Sequence, residues 1–169
     1  MTRAFTVIAA AILFASPSHA QNINPFAKFG GNWSGNGFIF LLNGTKEYIR
    51  CRGAFTPESA PNVISLKLEL RCAGDSFLFI LQGEMNYNAG VISGVWSEIS
   101  RGINGTVSGT IKDEQVQAVI ESPTFTATLE LINLGDKQQI RITSPGGEMT
   151  DILVGLNRTG VRQTQQPAQ

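Results

Sequence analysis

Val63-Ile64-Ser65-Leu66-Lys67-Leu68-Glu69-Leu70-Arg71-Cys72 is the most regular stretch of the chain, with Ile64, Leu66, Leu68, Leu70 and Cys72 alternating with Ser65, Lys67, Glu69 and Arg71. Successive side chains of an extended strand point to opposite sides, so this period of two places one apolar and one polar face on a half-buried strand. Outward from it, similar runs occur at about 33–42, 47–55, 76–84, 91–98, 103–111, 116–121, 125–132, 138–143 and 150–157. About ten strands are expected, and no helix.

The links between these runs are short and carry turn chemistry: Asn43-Gly44, Pro57 to Asn62, Ala73-Gly74-Asp75, Asn86 to Gly90, Lys112-Asp113-Glu114, Leu134-Gly135-Asp136 and Pro145-Gly146-Gly147. Short links pair sequential strands antiparallel. A series of hairpins with one apolar face must hide that face and its two edges, by closing into an up-and-down β-barrel of about 8 to 10 strands or by folding over as a β-sandwich. Gly35, Gly37, Gly94, Gly105 and Gly109 fall inside strands, where glycine commonly marks bulges and the bends that curve a sheet toward closure. The barrel is the preferred reading.

The N-terminus reads as a secretion signal. Arg3 gives a positive start, Ala4 to Ala15 form an apolar stretch rich in Ala, Ile, Val and Phe, and Ser18-His19-Ala20 has the small-x-small form cleaved by signal peptidase, so cleavage is expected after Ala20. The apolar run is too short to span a bilayer as a helix. Removing residues 1–20 leaves one domain's length, read as a β domain over 21–158 and a polar, disordered tail over 159–169. The formal charge of the whole chain is zero, and losing Arg3 moves it one unit to the acidic side. That balance argues against nucleic acid and anionic membrane surfaces as partners, because both select basic patches. Four aromatic residues that could serve as interfacial girdles, Trp33, Trp96, Tyr48 and Tyr87, and a Gln-rich end argue against a membrane-spanning barrel.

The single His, His19, lies in the signal. Its loss removes the commonest general base and metal ligand, so neither catalysis nor a cofactor or metal is expected. Cys51 and Cys72 are the only thiols, and in an oxidising compartment they are expected to pair. The setting is therefore periplasmic or secreted.

Lys28-Phe29-Gly30-Gly31-Asn32-Trp33 resembles the lipocalin first motif, KFxGxW. The resemblance implies that Trp33 plugs the closed end of a barrel beneath a basic residue from the last strand, for which Arg158 is the candidate. A wider pattern runs through Gly31-Asn32-Trp33, Cys51-Arg52, Cys72-Ala73-Gly74-Asp75-Ser76, Gly94-Val95-Trp96-Ser97-Glu98 and Arg101. It is similar to a group of small exported alphaproteobacterial proteins with no assigned activity. A third resemblance is to small secreted β-barrel inhibitors of metalloproteases, in which Gln21 to Ala27 would correspond to the segment inserted into the protease cleft.

The expected function is binding of a small apolar ligand inside the barrel, or an interaction with another envelope protein, with protease inhibition as the alternative. The residues expected to line a cavity are Phe38, Phe40, Leu66, Leu68, Phe77 and Phe79. Trp96, Glu98 and Arg101 form the densest polar and aromatic cluster, read either as ligand contacts or as a solvated strand end. Asn32, Asn43, Asn104 and Asn157 begin Asn-x-Ser/Thr sequences, taken as turns. Nothing in the sequence sets an oligomeric state.

Overall fold

The computed structural model describes residues 24–160. A single turn of 3-10 helix, Ala27–Phe29, precedes ten strands: β1 Gly31–Leu41, β2 Lys46–Ala60, β3 Val63–Ala73, β4 Leu78–Asn88, β5 Val91–Glu98, β6 Ile103–Lys112, β7 Gln115–Glu121, β8 Thr126–Asn133, β9 Lys137–Thr143 and β10 Met149–Thr159. Each strand pairs antiparallel with the next, and β10 pairs with β1, so the sheet closes into an up-and-down barrel. Closure removes both edges and gives the apolar faces a shared interior, which decides against a sandwich. Residues 1–20, with the expected cleavage after Ala20, and most of the expected tail lie outside the described residues. Thr159 still belongs to β10, opposite Asn32 of β1.

Two strands run further than the turn chemistry suggests. Pro57 was expected to open a turn, yet it lies within β2 opposite Leu66. Its ring faces Gly30, just before β1 begins, so its missing N–H deprives no ladder of a bond. Asn86 stays in β4, and only Ala89 and Gly90 turn the chain, both with positive φ, 48° and 90°, as a tight two-residue hairpin requires. Of the four Asn-x-Ser/Thr asparagines, only Asn43 lies in a turn, accepting the Thr45 N–H; Asn32, Asn104 and Asn157 lie in strands.

The five strand glycines are not bulges. Their ladders keep register, and the shift in the β1–β10 pair falls between Phe40 and Leu41. They mark close approaches instead: a Cβ on Gly105 would lie 1.8 Å from the Glu121 carbonyl oxygen and 2.7 Å from the Trp96 ring nitrogen.

Cys51 and Cys72 sit opposite one another on β2 and β3, both side chains inward, and form a disulfide. By chain entropy, a loop closed across a separation of 21 residues is worth roughly 3 kcal/mol. Arg50, Arg52, Lys67, Glu69, Arg71 and Gln82 stand exposed on the outer face of β2–β4. No helix among the described residues is long and apolar enough to cross a membrane.

Candidate functional site

The hairpin topology gives the barrel two unlike ends. One holds the starts of the odd-numbered strands, and the 3-10 turn fills it. Phe26 and Phe29 are fully buried there, packed edge to face at 6.5 Å, with Tyr87 at 6.4 Å from Phe26. Trp33 is buried beside them and its indole N–H donates to the Phe29 carbonyl at 3.0 Å. The buried Gln138 amide donates to the same oxygen, and the Asn133 amide to the Lys28 carbonyl. The Arg158 guanidinium lies 4.2 Å over the Trp33 ring, donates to the carbonyls of Lys28, Gly30 and Gly135, and sits 3.5 Å from the Asp136 carboxylate. Gly31, at φ 133°, leaves room for that guanidinium: a Cβ there would meet it at 2.5 Å. A short segment with too few backbone bonds of its own is thus tied down by side chains from β1, β8, β9 and β10.

The other end opens into a cavity of about 410 Å³. Its wall is almost wholly apolar and uses inward-facing residues of most strands: Phe55 and Leu70 from β2 and β3, Leu81 and Met85 from β4, Val107 from β6, Ile120 from β7, Leu129 and Leu131 from β8, Ile140 and Ile142 from β9, and Ile152 from β10. Polar groups gather at the mouth: Glu98, Arg101, Thr124, Ser144 and Glu148. Among the described residues no three His, Cys, Asp or Glu side chains are grouped to hold a metal ion.

Glu98, the last residue of β5, is 2% exposed. Its carboxylate accepts the Ile80 N–H at 2.9 Å, the Ser100 N–H at 3.1 Å, the Ser100 hydroxyl at 2.6 Å and the Arg101 N–H at 2.9 Å. Burial pushes the carboxyl upward, but the Ser100 hydroxyl and the three N–H donors together outweigh it, so the group titrates below the ordinary carboxylate range. Glu98 is therefore neither a solvated strand end nor a free ligand contact; it anchors the β5–β6 loop to β4. Arg101 differs. Its guanidinium lies 5.5 Å from the Phe77 ring centre, and its nearest carboxylate atom, on Glu98, is 3.9 Å away.

Of the residues expected to line a cavity, Leu68 and Phe79 do, as do Trp96, Glu98 and Arg101. Trp96 donates to the Thr106 carbonyl at 3.1 Å and packs 5.8 Å from Phe125. Leu66 is fully buried on the inner face but does not line the cavity, and Phe77 sits at the rim under Arg101. Phe38 and Phe40 do not line it. They lie on the outer face of β1, where Phe38 meets Tyr48 at 5.7 Å and Lys46 at 3.6 Å. Parity explains the correction: Trp33 and Ile39 point inward, and residues an odd number of positions from Trp33 must point outward. The same rule would have found Phe55, Leu129, Leu131 and Ile140. Of the segment expected to enter a protease cleft, Phe26 is buried in the closed end, and Asn24 is held by the Glu58 carbonyl and the Ser59 hydroxyl.

The barrel is similar to several solved structures. Rv2717c from M. tuberculosis superposes with a TM-score of 0.60 at 16% identity, covering 83% of this chain and 99% of that one. The S-type phycobiliprotein lyase CPES from Guillardia theta does so with a TM-score of 0.60 at 12% identity, covering 80% of this chain and 90% of its own. The fold is a lipocalin-like barrel. At these identities the likeness is one of fold. No protein-family model matches the chain, and no curated protein matches it.

Proposed function

We propose that this chain is an exported, non-enzymatic binding protein that holds one small apolar or amphipathic molecule inside the barrel. The observation that carries the reading is the apolar cavity, closed at one end and open at the other; its volume of about 410 Å³ falls within the range of small-molecule sites, about 300–1,000 Å³. The barrel shared with a phycobiliprotein lyase supports a role in ligand handling. Export rests on the Arg3 to Ala20 signal and accords with the Cys51–Cys72 disulfide. A binding role is favoured over catalysis because Glu98, the buried carboxylate at the mouth, is held ionised by four donors and is poorly matched to proton transfer near neutral pH. A soluble protein is favoured over a membrane-spanning barrel because charged side chains band the outer face of β2–β4.

Titration with the neutral fluorescent probe N-phenyl-1-naphthylamine tests the reading. Saturable binding of one probe per chain is expected, with quenching of the cavity-lining Trp96, and Leu129→Trp, which fills part of the space, weakens it. Absence of saturable binding to the wild-type chain contradicts it.

A further inference from the structure

We infer that the cavity takes an amphiphile with an acidic head, its apolar tail in the barrel and its carboxylate or phosphate against Arg101. This inference rests on the binding role proposed above and adds the charge of the ligand. The apolar wall gives a tail its place, and only the mouth can recognise a head.

Most polar groups there are already engaged. The Glu98 carboxylate holds four donors. Thr124 shares a hydrogen bond with Ser122, and the Ser144 hydroxyl donates to the Thr126 carbonyl. Glu148 stands exposed on the β9–β10 loop, where water screens its charge.

Arg101 is the exception. Its backbone N–H is engaged by Glu98, but among the described residues its guanidinium makes no hydrogen bond, and 3.9 Å to Glu98 is too long for one. Its side chain is only 31% exposed and is braced over Phe77. A guanidinium offers five N–H donors in a planar fork that matches a carboxylate or phosphate edge. Arg158 shows the contrast, since it spends its donors on three carbonyls and its face on Trp33. A fork held half out of water at the mouth of an apolar cavity, with its donors unspent, is complementary to an anion. A cationic head would meet a like charge at Arg101, and an alcohol would offer the guanidinium only a neutral acceptor in place of a charged one.

Isothermal titration of the full chain at pH 8 with dodecanoate, dodecyl phosphate, dodecanol and dodecyltrimethylammonium, each below its aggregation threshold, tests this. The two acids are expected to bind tenfold or more tighter than dodecanol, and the cation weakest. Arg101→Met, which retains the backbone N–H that Glu98 holds, should bring the acids down to the affinity of dodecanol for the same variant; Arg101→Lys should restore part of the preference. Comparison of the two acids tells which head is preferred. Dodecanol binding as tightly as the acids, or an acid preference that survives Arg101→Met, overturns the inference and leaves the binding role standing. If none of the four binds, both fall.

Discussion

The two ends of the barrel are built from the same kinds of residue, an arginine, an aromatic ring and a cluster of acceptors, and use them for opposite purposes. At the closed end Arg158 covers Trp33 and satisfies the carbonyls of the segment that fills the barrel. At the open end the tying is done by a carboxylate, Glu98, and among the described residues the guanidinium of the neighbouring Arg101 makes no hydrogen bond, its nearest carboxylate atom lying 3.9 Å away. An arginine whose N–H groups are matched by fixed acceptors is part of the scaffold. One braced at a cavity rim without such acceptors is available to something else.

Substitutions should separate the two ends. The largest effect is expected from Trp33→Ala, which removes the plug and leaves Phe29 and Gln138 facing a void; a loss of about 3–5 kcal/mol in denaturant unfolding is predicted. Next, Arg158→Met keeps some cover over Trp33 but takes the guanidinium donors from the Gly30 and Gly135 carbonyls, while the Lys28 carbonyl keeps its Asn133 donor, and about 2 kcal/mol should be lost. Glu98→Gln, at the open end, should cost about 1–3 kcal/mol at neutral pH.

The pH dependence of that last variant carries a definite sign. Because the Glu98 pKa is lowered on folding, its contribution is full above the unfolded carboxylate value of about 4.3 and is lost as pH falls through the lower, folded value. The stability gap between wild type and Glu98→Gln should therefore be flat at neutral pH and shrink in acid; a gap that widens in acid would contradict the assignment. The smallest effect belongs to Arg101→Met, within about 0.5 kcal/mol of wild type. Equal losses at Arg101 and Arg158 would erase the distinction between the ends.

Much of the barrel is legible in the sequence because period-two alternation is a local signal. Val63–Cys72 announces β3 directly, and turn residues such as Asn43-Gly44 and Lys112-Asp113-Glu114 separate the other strands. Strand ends are less legible: Pro57 looks like a turn until a third strand is known to stop short of it. The site is only half legible. Alternation finds Leu68 and Phe79, and it would have placed Phe38 and Phe40 outside had parity been carried forward from Trp33. Glu98 reads as a surface charge because the three N–H groups that bury it include one from Ile80, which is brought near only by the β4–β5 pairing. Whether the interior is filled or hollow depends on how side chains from ten strands meet across the barrel, which no single stretch encodes.

The central claim is that the open end leads to an occupied binding space, and native mass spectrometry of the protein purified from its own host tests it most directly. A mass excess equal to one small molecule per chain, lost on denaturation, is the predicted result. A bare polypeptide mass, together with no uptake of added apolar probe, would contradict it.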